Sequence, residues 1–300
     1  MLIYSICKYS VDAEFSVFSG MEINMKDICI ITGGGSGMGL ATAKLMGIDH
    51  YIIISGRTVS KLEGAIKELI ELGIEAEAFP CDVSNHQSVE ELAEHAAKLG
   101  TIKTVIHAAG MSPNMGDADI IMKVNALGTI NVNDVFYKYM SKGSCIIDVS
   151  SMSGYLIPNI IMPSGKYRLS RVDHNKFINS MMKRVNLFPK KNRSGIAYGI
   201  SKNFVIWYAK TDAEKFGNKG IRVVSVSPGL FETPMGEVER DISKDFIDKC
   251  AIKRYGRVEE IAHLFRFIAD EKLGYLTGVD ILCDGGCIAS CVNGKSIKHV

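Results

Sequence analysis

A tyrosine and a lysine stand four residues apart in a segment of helical period, at Tyr198 and Lys202. Four residues make about one helical turn, so both side chains lie on one face of the helix. An ammonium group beside a phenol lowers the phenol's pKa from its ordinary value of about 10, which makes proton transfer feasible near neutral pH. The pair is compatible with a general acid/base at Tyr198. For these two residues alone, an ordinary amphipathic helix whose lysine extends towards solvent is the better interpretation, and only the further motifs below favour the acid/base role.

A glycine-rich turn, Thr32-Gly33-Gly34-Gly35-Ser36-Gly37-Met38-Gly39, follows an apolar run and precedes a helical segment. Glycines let the backbone approach a pyrophosphate closely, and a helix N-terminus offers unpaired N–H groups to its oxygens. Strand, turn and helix in this order predict a dinucleotide-binding site. The residues predicted to contact the cofactor here are Gly33, Gly35, Ser36, Gly37, Met38 and Gly39.

The end of the second apolar run favours NADP over NAD as the cofactor. Gly56 and Arg57 follow this run, and no carboxylate stands at its tip. An acid there would bind the ribose 2′-hydroxyl of NAD, whereas a guanidinium accommodates the 2′-phosphate of NADP. The alternative is that Arg57 only caps a surface turn. After the third run, Asp82 and Val83 are predicted at the adenine, although Asp82 equally suits a helix cap.

The elements that must position these residues follow from hydrophobic periodicity. Short runs rich in Ile and Val alternate with longer segments of helical period, which is typical of a parallel sheet buried on both faces. The predicted strands are Ile28–Thr32, Tyr51–Ser55, Ala76–Pro80, Lys103–His107, Ser144–Val149, Arg222–Ser227 and Val279–Cys283. The predicted helices are Gly39–Met46, Ser60–Leu72, Ser88–Leu99, Asp119–Met140, Ala197–Phe216 and Val258–Ala269. We therefore predict an α/β, doubly wound Rossmann fold with a seven-stranded parallel sheet, helices on both faces, and ligands at the carboxyl ends of the strands.

Composition narrows the class of partner. The 35 Lys and Arg against 33 Asp and Glu give a formal charge of +2, so no overall field attracts nucleic acid or a membrane. No apolar run is long enough for a membrane-spanning helix. The eight cysteines are scattered, several within apolar runs, which suits a reducing cytosol. We expect a cytoplasmic protein with a small-molecule partner.

Two segments lie outside the repeating pattern. Residues 1–24 are predicted to be an extension that is either disordered or the result of a misassigned start, because Met25 stands just before the first strand. Residues 25–300 are predicted to form one domain. Within it, a basic segment at about 155–195 is interpreted as an insertion at the mouth of the site, since residues 166–193 carry nine Lys and Arg against one acid, Asp173.

Further motifs follow the strands in a fixed order: His107-Ala108-Ala109-Gly110, Asn125, Ser151, Tyr198-Gly199-Ile200-Ser201-Lys202 and Pro228-Gly229. Together with the glycine-rich turn, they resemble the short-chain dehydrogenase/reductase family over about residues 25–290. The sequence departs from the family pattern twice. Ala108 stands where the family often has Asn, and 47 positions separate Ser151 from Tyr198 where the family has little more than a dozen. The insertion accounts for the second departure.

The resemblance implies a role for each matched residue. The catalytic set is Asn125, Ser151, Tyr198 and Lys202: Tyr198 moves the proton, Lys202 also holds the nicotinamide ribose, Ser151 binds the substrate oxygen, and Asn125 supports a proton-relaying water chain. Further residues implied at the cofactor are Ala109, Gly110, Asn125, Tyr198, Lys202, Pro228, Gly229, Phe231 and Thr233. The family also implies a homodimer or a homotetramer.

The leading interpretation is an NAD(P)-dependent oxidoreductase that moves hydride between a nicotinamide and a ketone or secondary alcohol. The alternative is a dinucleotide-binding redox sensor without turnover, which needs the glycines but not the proton relay. A third interpretation is an isomerase or dehydratase with transient hydride transfer.

The insertion leaves the substrate open. Lys190, Lys191 and Arg193 either steer an anionic substrate or form a solvated basic surface. Tyr155, Tyr167 and Phe188 are an alternative lining for a steroid-like or aromatic ketone. No metal is expected, because the cysteines near the carboxyl end enclose a Gly-Gly turn and lack a full ligand set.

Overall fold

The computed structural model describes residues 27–237 and 246–293. The predicted extension over residues 1–24 lies outside this part of the chain. The strands are β1 (Ile28–Thr32), β2 (Tyr51–Gly56), β3 (Ala76–Pro80), β4 (Ile102–His107), β5 (Cys145–Val149), β6 (Arg222–Pro228) and β7 (Asp280–Cys283). They form one parallel sheet in the order β3-β2-β1-β4-β5-β6-β7. The predicted doubly wound, seven-stranded fold is confirmed.

The central strands are apolar because both faces of the sheet are covered. Every residue of β1 and of β5 is buried. Successive side chains point to opposite faces, so Ile30 belongs to one core cluster and Ile31 to the other. Burial on both sides removes the alternation of apolar and polar residues that a half-exposed strand would show.

The helices lie between the strands in sequence. Their bounds are α1 Gly37–Met46, α2 Val59–Glu71, α3 His86–Leu99, α4 Ala118–Met122, α5 Gly128–Tyr139, α6 Ser153–Leu156, α7 His174–Val185, α8 Arg193–Gly217, α9 Pro234–Glu237, α10 Val258–Ala269 and α11 Cys287–Asn293. A π-helical turn at Lys123–Leu127 joins α4 to α5, where the periodicity predicts one helix. Helix α8 begins four residues before the predicted start at Ala197. The prediction missed its first turn, because that turn carries no apolar stripe.

The insertion is an ordered helical segment. A 3-10 helix at Ser164–Arg171 and helix α7 pack onto the same core as the sheet. Phe177, Met181 and Val185 recur at four-residue spacing on the buried side of α7. The stripe spans only three turns among basic residues, which is why periodicity did not reveal it.

The order of the strands reverses between β1 and β4, which is the switch point where ligands of such sheets bind. The glycine turn follows β1 at this point. The segment after Pro228, which follows β6, lines the same cleft as this turn. Among the described residues, no helix is both long and apolar enough to cross a bilayer.

Candidate active site

The glycine turn has the backbone that a phosphate site requires. Gly33 has φ +72° and Gly37 has φ +55°, a region that side chains disfavour. A Cβ on Gly39 would lie 2.4 Å from the carbonyl oxygen of Gly33, so α1 packs directly on the turn. Ser36 precedes α1 without a side-chain hydrogen bond to the helix. The N-terminus of α1 thus stays open towards the cleft beside β1.

This cleft has a cavity of about 210 Å³. Most of the predicted cofactor residues line it: Gly33, Gly35, Ser36, Gly37, Met38, Gly39, Arg57, Val83, Ala109, Gly110 and Thr233. Asp82 is absent from the lining. Its Oδ1 accepts hydrogen bonds from the Ser84 backbone N (2.9 Å) and Oγ (2.7 Å), so in this structure the side chain stabilises the turn after β3.

Sequence reasoning missed several residues of this lining. Lys61 lies four positions after Arg57, near the start of α2, and both residues are exposed and line the cavity. The spacing of the two basic residues was a usable signal. Thr58, Cys81, Met115, Val124, Pro234 and Met235 also line the cleft, but nothing in their type marks them.

A second cavity of about 100 Å³ adjoins the first. Its lining includes Ser151, Tyr198, Pro228, Gly229 and Phe231, all predicted from sequence. Met38, Thr233 and Met235 line both cavities, so the two form neighbouring parts of one cleft. The structure therefore brings the predicted proton donor beside the glycine-lined site.

The two adjacent serines have different roles. Ser150 Oγ donates to the carbonyl oxygen of Lys202 at 2.7 Å and so ties the end of β5 to α8. Ser151 Oγ accepts from the backbone N of Ser153 at 3.2 Å. Both serines line the cavity that Tyr198 lines. Because the O–H of Ser150 already donates inside the protein, Ser151 is the better donor to a substrate oxygen.

Lys202 is buried behind the cavity. Its side chain lies beneath Gly110, and its Nζ is 5.9 Å from the centre of the Tyr198 ring. Nζ donates to the carbonyl oxygen of Val149 at 2.8 Å. Burial lowers the pKa of Lys202 to about 8, although the nearby Asp148 partly offsets this effect. The ammonium thus lies near the Tyr198 ring, and it loses its proton at a lower pH than an exposed lysine does.

Asn125 lies in the π-helical turn and is 1% exposed. Its amide bridges the backbone of Met111, accepting from N at 2.8 Å and donating to O at 3.0 Å, and it also reaches Ser201 Oγ. The side chain thus holds the loop after β4 against α8. A Cβ on Gly110 would be 3.3 Å from Asn125 Oδ1 and 3.4 Å from Lys202 Nζ, so this loop lies close to both side chains.

The aromatic residues of the insertion do not form the suggested substrate lining. Tyr167 is 0% exposed and packs against Phe204 and Trp207 in the core, with ring centres 5.3 and 5.6 Å away. Tyr155 donates to Asp280 at the edge of the sheet. The described lining of the two cavities contains no residue from 155–195, including Phe188.

Two basic residues of the insertion bind to backbone within it. Arg193 donates to the carbonyl oxygens of Phe188 (2.9 Å) and Asn186 (3.1 Å), and Arg184 donates to that of Ile160. Near the carboxyl end, Cys287 is buried in a small apolar cluster with Cys250. In residues 27–237 and 246–293, no group of three or more His, Cys, Asp or Glu side chains is arranged to hold a metal ion.

Comparison with known proteins agrees with this geometry. A family model described as short chain dehydrogenase matches residues 27–186, and one described as Enoyl-(Acyl carrier protein) reductase matches residues 177–287. The chain belongs to the short-chain dehydrogenase/reductase family. It is therefore an oxidoreductase of the kind that acts on CH–OH and carbonyl groups.

Curated relatives extend over nearly the whole chain. The short-chain dehydrogenase/reductase bsc3 of Alternaria brassicicola is 27% identical over 270 residues, covering 88% of this chain and 97% of its own. The 3-oxoacyl-[acyl-carrier-protein] reductase FabG of Thermotoga maritima is 27% identical over 274 residues, covering 87% and 97%.

Solved structures share the fold. A variant of actinorhodin polyketide ketoreductase with NADPH superposes with a TM-score of 0.71 at 20% identity, covering 89% of this chain and 99% of its own. A short-chain dehydrogenase from Burkholderia cenocepacia in complex with NADP gives a TM-score of 0.70 at 20% identity, covering 88% and 99%.

Proposed function

We propose that the chain is an NADP-dependent reductase or dehydrogenase that interconverts a ketone and a secondary alcohol. One observation carries the proposal: Ser151 and Tyr198 line a cavity that shares Met38 and Thr233 with the glycine-lined cleft. A hydroxyl donor and a proton donor therefore adjoin a site built for a dinucleotide. A binding-only sensor would need the glycines but not the two hydroxyls.

The cleft suits a dinucleotide with a 2′-phosphate. The glycine turn and the open N-terminus of α1 would hold the pyrophosphate. Arg57 and Lys61 would bind the 2′-phosphate in this cleft, whose described lining includes no carboxylate. The solved relatives that contain NADPH or NADP share this fold, which supports the choice. When bound, a nicotinamide supplies hydride to a carbonyl carbon or accepts it from an alcohol.

The protein's own groups handle the oxygen. Ser151 donates a hydrogen bond to the substrate oxygen, and Tyr198 gives it a proton during reduction or takes that proton during oxidation. Lys202 favours the phenolate form of Tyr198 through its positive charge. Because the ammonium is buried, its field on the phenol is little screened by water.

The proposed substrate is a small carbonyl compound or alcohol whose reacting end fits the 100 Å³ cavity. The name of the Thermotoga maritima relative supports a ketone as the reacting group. Cytoplasmic location and assembly into a homodimer or homotetramer stay predictions.

The test measures NADPH consumption by its absorbance. Wild type, Ser151→Ala and Ser150→Ala are each assayed with a panel of ketones. We expect Ser151→Ala to lower kcat about a hundredfold with NADPH binding retained, because a donor to the developing charge is lost. Ser150→Ala is the matched control, because its hydroxyl contacts α8. We expect Ser150→Ala to lower the melting temperature and to leave kcat close to that of wild type.

Equal losses of kcat in both serine variants would contradict the assignment of Ser151. Tight NADPH binding without oxidation by any ketone, and without reduction of NADP by the matching alcohols, would overturn the proposed function in favour of the sensor.

A further inference from the structure

The hydroxyl of Ser151 lies where the chain leaves the sheet. Met152 N donates to the carbonyl oxygen of Pro228 at 2.9 Å, so β6 holds the backbone as far as this residue. Ser151 Oγ, however, accepts from the backbone N of Ser153 at 3.2 Å, one position further along. The orientation of the hydroxyl therefore depends on the turn that follows Met152.

This turn, residues 151–154, lies directly against α8. Gly154 N donates to the carbonyl oxygen of Ser151 at 3.0 Å and closes the turn. A Cβ on Gly154 would lie 3.0 Å from the backbone N of Asn203 and 3.1 Å from the carbonyl carbon of Lys202. The turn that carries the predicted substrate donor thus contacts the helix that carries the predicted acid/base.

One side chain of α8 bonds to the turn. Asn203 Nδ2 donates to the carbonyl oxygen of Gly154 at 2.9 Å. Because a carbonyl oxygen can only accept, the amide nitrogen must face the turn and the amide oxygen must face away from it. On that other side, Oδ1 accepts from the hydroxyl of Tyr167 at 3.0 Å. The phenol therefore holds the amide in the orientation that donates to the turn.

Tyr167 is a fixed donor because its ring is packed in the core. The ring meets that of Phe204 edge-on, at an angle of 81°. The hydroxyl also lies 3.3 Å from the carbonyl oxygen of Ile200 and 3.6 Å from Met162 Sδ, but Asn203 Oδ1 is the nearest of the three acceptors. A buried aromatic ring loses little further freedom when its hydroxyl bonds, so the bond to Asn203 is directed.

The place where the insertion begins explains why the turn needs this support. Residues 155–195 leave the chain directly after Gly154, so motion of the insertion would reach the turn. Tyr155 donates to Asp280 and ties the first residue of the insertion to β7. Tyr167 then brings the insertion back to α8, at the residue that bonds to the turn.

We infer that Tyr167 of the insertion and Asn203 are positioning residues, which hold the turn at residues 151–154 so that Ser151 Oγ is oriented towards the substrate oxygen. The inference deepens the proposed function and rests on it for its catalytic meaning. The insertion then acts on the site through α8 and takes no part in lining the substrate cavity.

Ketone reduction by Tyr167→Phe and Asn203→Leu measures the effect on catalysis. We expect each variant to lower kcat about tenfold and to leave the Kd for NADPH within about twofold, because a less well oriented hydroxyl stabilises the transition state less. The combined variant should be no slower than Asn203→Leu alone, since the phenol acts through the amide. Tyr208→Phe is the matched control: its buried hydroxyl on the same helix donates to Asp134 at 3.4 Å, and its loss should leave kcat unchanged.

The same substitution in a Ser151→Ala background separates positioning from general loosening of the fold. With no hydroxyl left to orient, we expect Tyr167→Phe to change the remaining kcat by less than about twofold. An equal fractional loss in both backgrounds would overturn the inference, as would a wild-type kcat in Tyr167→Phe with Ser151 intact.

Hydrogen exchange, followed by mass spectrometry, reports on the turn without turnover. We expect the amides of Ser153 and Gly154 to exchange about tenfold faster in Tyr167→Phe and Asn203→Leu than in wild type or Tyr208→Phe, with β5 unchanged. Unchanged exchange in the turn would overturn the inference. A wild-type protein that oxidises no NADPH with any ketone would overturn the proposed function, while the exchange rates still decide whether these side chains hold the turn.

Discussion

Replacing Tyr167 with alanine tests whether the insertion is part of the core. The side chain is 0% exposed, and its hydroxyl donates to Asn203 Oδ1 at 3.0 Å. Removing a buried aromatic ring costs about 4 kcal/mol of unfolding free energy. For a chain of this size, that corresponds to a fall in melting temperature of roughly 10 °C. Tyr167→Phe keeps the ring and loses the hydrogen bond, so we expect a loss of about 1 kcal/mol.

Thermal unfolding followed by circular dichroism measures both variants. Val172 offers the matched control, because it lies in the same segment and its side chain is 83% exposed. We expect Val172→Ala to change stability by less than about 0.5 kcal/mol. If Tyr167→Ala melted within a degree or two of wild type, the insertion would be a separate arm, and its packing onto the core of the sheet would be refuted.

Two further predictions concern the cofactor cleft. Gly39→Ala places a Cβ 2.4 Å from a backbone oxygen, so we expect at least a tenfold loss of NADPH affinity by fluorescence titration. Gly64→Ala, on an open face of α2, should leave affinity unchanged, and an equal loss there would contradict the steric cause. We expect Arg57→Ala and Lys61→Ala each to raise the Kd for NADPH about three- to tenfold and to leave that for NADH unchanged. Lys67→Ala on the same helix is the control and should change neither Kd. If Arg57→Ala and Lys61→Ala weakened NADPH and NADH binding equally, 2′-phosphate recognition would be disproved.

Much of the fold could be predicted because a parallel sheet leaves a strong sequence signal. Strands buried on both faces appear as apolar runs, and Ile28–Thr32 has the predicted bounds. The edge strand Ala76–Pro80 also has the predicted bounds, although none of its residues is fully buried. Helix ends were harder, because the first turn of α8 carries no apolar stripe. The π-helical turn around Asn125 has no sequence signal, since it depends on packing against neighbouring elements.

The residues of the site were found where chemistry restricts the residue type. A turn that approaches a pyrophosphate requires glycines, and a phenol activated by an ammonium requires a tyrosine one helical turn from a lysine. Lys61 was missed because an exposed lysine on a helix is common. The surroundings of Lys202 were not predictable, because Val149, whose carbonyl oxygen accepts from Nζ, and Gly110, which lies against Nζ, come from different elements and only the fold brings them together.

The insertion shows the limit of composition as a guide. Its nine basic residues suggested either a steering surface or a solvated basic surface, yet Arg171 contacts Tyr208 and Asp212, and Arg193 donates to backbone carbonyls. A count of charges does not reveal which of them are paired. The contacts that each side chain makes in the folded protein decide that.

Hydride transfer by Tyr198→Phe in a single turnover tests the proposed acid/base role of Tyr198 most directly. The variant keeps the ring and loses only the hydroxyl that would protonate the substrate oxygen. With NADPH bound and a reactive ketone in excess, we predict at least a hundredfold slower NADPH oxidation, with the Kd for NADPH within about threefold of wild type. A variant that oxidises NADPH at the wild-type rate would show that Tyr198 is not the proton donor.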